Sequence, residues 1–192
     1  MSFTKENIIA LPNPHLRQKS KRIGLITNDI IQLSQDMISA TLSWDHSREH
    51  EVGVALAAIQ IDQAYKMIIV RNNYEDKNDE SFTVFINPEI TKLEGTMSTD
   101  YEGCLSVPNI YGKVKRYSKV RVKATGLDGK PFRVVAEGFL ARIFQHEIDH
   151  TNGLVFIDHI KDDPQAFYRL DEQGKLNKLD YNDVKKDPIL WE

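Results

Sequence analysis

Cysteine is almost missing from this chain of 192 residues, and Cys104 stands alone. That excludes an internal disulfide and any zinc site built from several cysteines, so whatever Cys104 does, it does as a lone thiol. Long apolar runs are missing too. No stretch of about 18 apolar residues occurs, and the opening MSFTKENIIALPNPHLRQKS lacks the basic-then-apolar order of a signal peptide. The expectation is a soluble, cytoplasmic protein with no membrane partner. Neither sign of charge dominates: 25 Lys and Arg stand against 28 Asp and Glu, a formal net charge of -3. No global field draws the chain toward DNA or an anionic surface. Repeats, low-complexity segments and long linkers are absent. Residues 1–192 therefore read as one domain, with a tail from about residue 165 that reads as a hairpin or irregular arm.

Along the chain, Leu11 to Arg22 opens with Pro12 and Pro14 and suggests an extended lead-in followed by a short helical turn. Between Ile23 and Trp44, Ile30, Ile31, Leu33, Met37, Ile38 and Leu42 recur mostly at three- and four-residue steps, which predicts an amphipathic helix capped by Thr27 or Asn28. Gly53 to Gln60, GVALAAIQ, is small and apolar and fits a loop whose backbone approaches something closely before entering buried structure. Strands are expected at Tyr65 to Arg71 and at Phe82 to Pro88, the second broken by its proline, with Asn87-Pro88 marking a turn. Val120 to Ala124 and Pro131 to Ala136 should pair across Leu127-Asp128-Gly129-Lys130. Strands and two helices in no regular alternation argue for an α+β fold with antiparallel pairing.

The chemistry gathers on Phe139 to His150, FLARIFQHEIDH. His146 and His150 are four residues apart and share one face of a helix with Glu147 beside them, the H-E-x-x-H spacing of a metal hydrolase. Two neutral imidazoles can hold a divalent cation, and a neighbouring carboxylate that is not a ligand can act as a general base on water. Phe139, Ile143, His146 and His150 form one stripe and Leu140, Phe144 and Glu147 another, so the polar groups extend an apolar face and point inward. Antiparallel sheets packed around this central helix are the expected architecture. A second arrangement, His46-x-x-Glu49-His50 within DHSREHE, has no apolar stripe beside it and is followed by Gly53, which predicts an exposed helix end.

Two histidines leave a tetrahedral metal short of a protein ligand. A third histidine six residues after His150 would suit one protease class, but that position is Phe156. Glu172 lies at the distance used by another class, although Asp171 to Gly174 reads as a turn. Cys104 offers a thiolate suited to zinc or ferrous iron, or it is simply a small buried hydrophobe. On residue types alone, a metalloprotease using Glu172 and a binding protein with a structural metal both stay open.

GVALAAIQ at 53–60, EGCLS at 102–106 and QHEIDH at 145–150 resemble, in order and separation, the three motifs of peptide deformylases. The likeness runs from the Pro-rich lead-in through LDGKPF at 127–132 to about Ile160. It implies that Cys104, His146 and His150 ligate one divalent metal, ferrous iron with zinc, nickel or cobalt as substitutes. It also implies that Glu147 is general base and then acid, and that Gln60 and the backbone N–H of Leu105 stabilise an oxyanion. Its reaction would release formate from the N-terminal formyl-methionine of nascent polypeptides. Gly53, Val54, Ala55 and Gly103 would then lie along the substrate backbone, with Val54, Phe139 and Ile143 around the methionine side chain. Ala55 stands where the family usually has glycine; a positive φ there would strain it, and otherwise its methyl narrows the cleft. Asp149 is expected either to face solvent or to pair with Arg116 or Arg121. The run Lys113 to Lys123, carrying Lys115, Arg116, Lys119 and Arg121, is either a ribosome contact near the exit tunnel or the wet face of a strand.

Overall fold

A computed structural model describes residues 3–191. Its two long helices are α1, Asn28–Asp45, and α2, Gly138–Thr151. Seven strands form one antiparallel sheet: β1 (Ala55–Ala57), β2 (Met67–Arg71), β3 (Phe82–Cys104), β4 (Val107–Thr125), β5 (Pro131–Glu137), β6 (Phe167–Leu170) and β7 (Leu176–Lys178). The order is β1-β2-β3-β4-β6-β7, and β5 also pairs with β4. The long β4 therefore serves two partners, β6 along Ile110–Gly112 and β5 along Lys119–Thr125.

The apolar run MIIV in β2 follows from what covers it. Met67 and Ile69 pack into the core beneath α1, while Ile68 and Val70 join the core beneath α2. A strand buried on both faces has no reason to alternate with polar residues. The same split runs through GVALAAIQ, where Ala55 and Ala57 face the α2 side, and Leu56 and Ala58 the α1 side. Small side chains let this segment lie between two helix-covered layers. Arg71 closes β2 as a fully buried cation, paired with Asp45 and donating to the carbonyls of Gly53, Lys77 and Asp79. A buried guanidinium is tolerable only when its donors are matched in this way.

Pro88 does not end its strand. β3 continues through it to Cys104, with register shifts against β4 between Ile86 and Glu89 and again near Ile90 and Glu94. At the first shift Asn87 takes φ +52°, and its side chain accepts from Ile23 N at 2.9 Å and donates to Ile23 O at 2.8 Å. The bulge removes the ladder position where proline's missing N–H would be felt. The expected turn at Asn87-Pro88 is thus a bulge within a 23-residue strand.

Beyond α2 the left-handed Gly153 (φ +80°) turns the chain into the short 3-10 turn Phe156–His159, of which Phe156 and Ile157 are buried. The tail forms the β6–β7 hairpin around Asp171–Gly174 and then two short helices, α3 (Tyr181–Lys186) and α4 (Pro188–Trp191). Phe167, Val184 and Leu190 are buried against Val107, Ile110 and Val114, so this tail is packed onto β4.

Candidate active site

α2 enters the molecule along an apolar stripe and carries its polar groups deep. His146, Glu147 and His150 are 8%, 5% and 0% exposed. The end of β3 brings Cys104 to the same point, with its Sγ 3.2 Å from Nε2 of His150. One donor atom from each of Cys104, His146 and His150 lies within 4.8 Å of the other two, the only such grouping of three or more acids, histidines or cysteines among the described residues. A thiolate and two imidazoles with this spacing fit a single cation of the zinc or ferrous-iron kind. Burial, with the charge of His146 beside it, pushes the His150 pKa well down, whereas the His146 pKa is raised against its burial by its hydrogen bonds to Cys104 and Glu102, so a bound cation would have to displace the His146 proton.

Behind the donors lies a buried ionic cluster. Glu102, two residues before Cys104 on β3, lies 3.0 Å from Nδ1 of His146 through Oε2. It also accepts from Arg116 at 2.9 and 3.1 Å and from Arg142 at 2.8 Å. Burial alone would raise the Glu102 pKa, but the hydrogen bonds from His146 and Arg116 outweigh it and hold the carboxyl far below the usual range. Arg116 reaches on to Asp149 at 2.6 Å, which decides the partner of that carboxylate; Arg121 pairs with Glu94 instead. Carboxylates in this position fix the tautomer and orientation of a ligating imidazole. Motif spacing alone assigns no role to Glu102 or Arg142. Their signals were present: Glu102 shares the strand face of Cys104, and Arg142 stands one turn before His146 in an otherwise apolar stripe.

Glu147 differs from Glu102 in having no arginine hydrogen-bonded to it. Its Oε2 is buried without a hydrogen-bond partner, and burial pushes its pKa up to about 7. A carboxyl poised there suits proton transfer at neutral pH. Gln60 is held in place by the N–H of Ala57, which donates to Oε1 at 2.9 Å. Its Nε2 donates to Ser106 Oγ at 3.1 Å and lies 3.5 Å from Cys104 Sγ.

Cys104, His146, Glu147, Gln60, Glu102 and Arg142 open on one cleft of about 350 Å³, with His150 buried behind them. Val54, Ala55, Tyr74, Phe139 and Ile143 supply apolar lining, and Gln60, Gly103, Cys104, Leu105, His146 and Glu147 also face it. Phe139 is 46% exposed and packs on Tyr74 at 5.5 Å between ring centroids, so it sits at the mouth rather than in the core. Ala55 is in a regular strand with no positive φ, so its methyl narrows the cleft without straining the backbone. Gly53 departs from expectation. It does not line the cleft; its N–H goes to Asp45 and its carbonyl to Arg71. A Cβ there would meet Thr41 Cγ2 at 2.8 Å, so the glycine serves the packing of α1. Among the alternatives, Glu172 is exposed in the tail turn, and His46, Glu49 and His50 are exposed at the end of α1.

Comparison with known proteins points to one family. The family model for polypeptide deformylase matches residues 5–166. A peptide deformylase of Agrobacterium fabrum is 41% identical over 158 residues, covering 82% of this chain and 88% of the relative. A peptide deformylase from Synechococcus elongatus, solved in complex with actinonin, superposes with a TM-score of 0.73 at 35% identity over 81% of this chain and 80% of that one. The Met-Ala-Ser-bound class I type b enzyme from Acinetobacter baumannii gives 0.71 at 32% identity, over 83% and 99%. With the cysteine, the H-E-x-x-H helix and the glutamine converging on one cleft, the chain belongs to the peptide deformylase family, metal-dependent hydrolases that remove the formyl group from the N-terminus of new polypeptides.

Proposed function

We propose that Cys104, His146 and His150 hold one ferrous ion, replaceable by zinc, nickel or cobalt, and that Glu147, Gln60 and the Leu105 backbone N–H perform the deformylation beside it. The observation that carries this reading is the convergence of the three donor atoms next to a buried, unpartnered Glu147 oxygen. When bound, the cation supplies Lewis acidity, polarising the formyl oxygen and lowering the pKa of water to about 7.

The chain's own residues do the rest. Glu147 accepts a proton as water adds to the formyl carbon, then gives it to the methionine nitrogen as the carbon–nitrogen bond breaks, leaving formate and a free amine. The side-chain amide of Gln60, aimed by Ala57 and Ser106, and the N–H of Leu105 donate to the developing oxyanion. The methionine side chain occupies the apolar lining of Val54, Ala55, Phe139 and Ile143. The peptide backbone runs alongside Gly103 as an added strand. The peptide Met-Ala-Ser, bound in the Acinetobacter baumannii relative, is the kind of product such a cleft would release.

A nascent-chain substrate fits a cytoplasmic enzyme, and no described helix is long and apolar enough to cross a membrane. A ribosome contact through Lys113 to Lys123 would rest chiefly on Lys115. Arg116 is buried, and Lys119, Arg121 and Lys123 pair with Glu137, Glu94 and Glu89. The deciding experiment is incubation of anaerobically purified, iron-loaded protein with a formyl-Met peptide. Formate release is expected, and its absence sinks the assignment. Cys104→Ala should lose the bound metal; retention of metal and activity would favour the rival ligand Glu172.

A further inference from the structure

We propose that the C-terminal hairpin β6–β7 is a substrate-positioning element, holding the part of the cleft wall that contacts peptide residues beyond the methionine. The inference rests on the deformylase reading above. The family match ends at residue 166, so the hairpin lies beyond it. Yet it backs three cleft-lining residues that come from separate segments. β6 pairs with β4 so that Tyr168 stands opposite Tyr111. The Tyr111 ring occupies the space beside Gly103, where an added Cβ would lie 2.6 Å from Cε1, and its hydroxyl donates to Glu51 at 2.7 Å. Tyr101 meets the Tyr168 ring edge-on at 5.0 Å, and the Lys113 ammonium lies 5.2 Å from the centroids of both. At the hairpin turn Gly174, with φ +75°, is so close to His50 that a Cβ would lie 2.9 Å from its ring.

The remaining lining of the cleft identifies what these residues do. The methionine takes the apolar set and the formyl group takes the donor corner, while Glu102 and Arg142 are occupied by one another. That leaves Trp44, His50, Glu51, Val52, Tyr101 and Tyr111 for the rest of the peptide. Half of this set is buttressed from behind by the hairpin. Polar-tipped aromatic side chains with fixed orientation suit an extended peptide, giving contact area at little entropic cost.

A purely structural tail, present only to cover Phe167, would affect every substrate alike. The test is therefore a comparison of kcat and KM for formyl-methionine amide and for formyl-Met-Ala-Ser, using metal-loaded wild type, Tyr168→Ala, Tyr168→Phe and Lys113→Met. Tyr168→Ala should raise KM for the tripeptide roughly fivefold, the size of one lost contact, with kcat and the amide substrate little changed. Tyr168→Phe keeps the ring but loses the hydroxyl's bonds to Lys113 and Tyr101, and it should show a smaller tripeptide-selective loss than Tyr168→Ala. Lys113→Met removes the cation between the rings without emptying the space, and it should show the same tripeptide-selective loss even if Tyr168→Ala does not fold. Equal losses on both substrates, or no loss on the tripeptide in either variant, would overturn the proposal. If wild type releases no formate from either substrate, the activity assignment itself fails and the proposal falls with it.

Discussion

Two stretches of this chain spell nearly the same residues, His46-x-x-Glu49-His50 and His146-Glu147-x-x-His150, and they end in opposite environments. The first hangs off the end of α1 with both histidines exposed, Glu49 88% exposed and His50 at the rim of the cleft, so its groups are not desolvated. The second lies on a buried helix face with the Cys104 sulfur against it and the Glu102 carboxylate behind it. Spacing is shared; desolvation and a third donor are not. Burying imidazoles and a carboxyl is costly unless something compensates them, and that cost is what marks the second stretch as the site.

The largest expected effect on this contrast comes from Glu147→Gln, which keeps shape and burial but removes the base. Turnover should fall by about 10²–10⁴ with metal content unchanged, as read by metal analysis beside a formate assay. Next is Gln60→Ala, which should cost on the order of 10²–10³ in kcat, about 3 kcal/mol, again with the metal retained. A near-normal rate would remove Gln60 from the oxyanion site.

Glu102→Gln tests the backing and should weaken metal affinity by about 10–100-fold in a chelator competition. It also has a pH signature. Because the folded-state pKa of Glu102 lies far below its ordinary 4.5, its stabilisation is complete above that value and is lost as pH falls toward the folded pKa. In thermal melts with chelator present, the Tm gap between wild type and variant should be widest above about pH 5 and close in acid. A gap independent of pH would mean that the variant acts by misfit alone. The smallest effect belongs to the other stretch. His46→Ala should leave both metal content and turnover unchanged, and any loss of metal would erase the contrast between the two motifs.

What could be read ahead of the structure followed signal strength. α1, β2, the Asp128-Gly129 hairpin and α2 each carry a clear period or turn residue, and each is present. The long β3 and much of β4 are unreadable because register shifts, Gly95 and Pro88 interrupt their alternation, and because residues 95–101 of β3 are exposed on both faces. α3 and α4 are too short to show a period. At the site, His146, Glu147 and His150 are local to one helix and announce themselves. Gly53 is ambiguous because a glycine packed against Thr41 and one lying along a substrate look the same in a sequence.

By itself, the sequence determined the chemistry on offer: two imidazoles and a carboxyl on one helical face, a lone thiol, and a motif order shared with a known family. Helical spacing is local, and four residues always return to the same face. Tertiary structure alone decided which charges would be buried and what would face them. It set Glu102 and Arg142 behind the histidines, left a Glu147 oxygen without a hydrogen-bond partner, packed Gly53 against α1, and laid the tail hairpin behind Tyr101, Tyr111 and His50. Those choices depend on desolvation and on contacts between residues far apart in the chain, which no local pattern encodes.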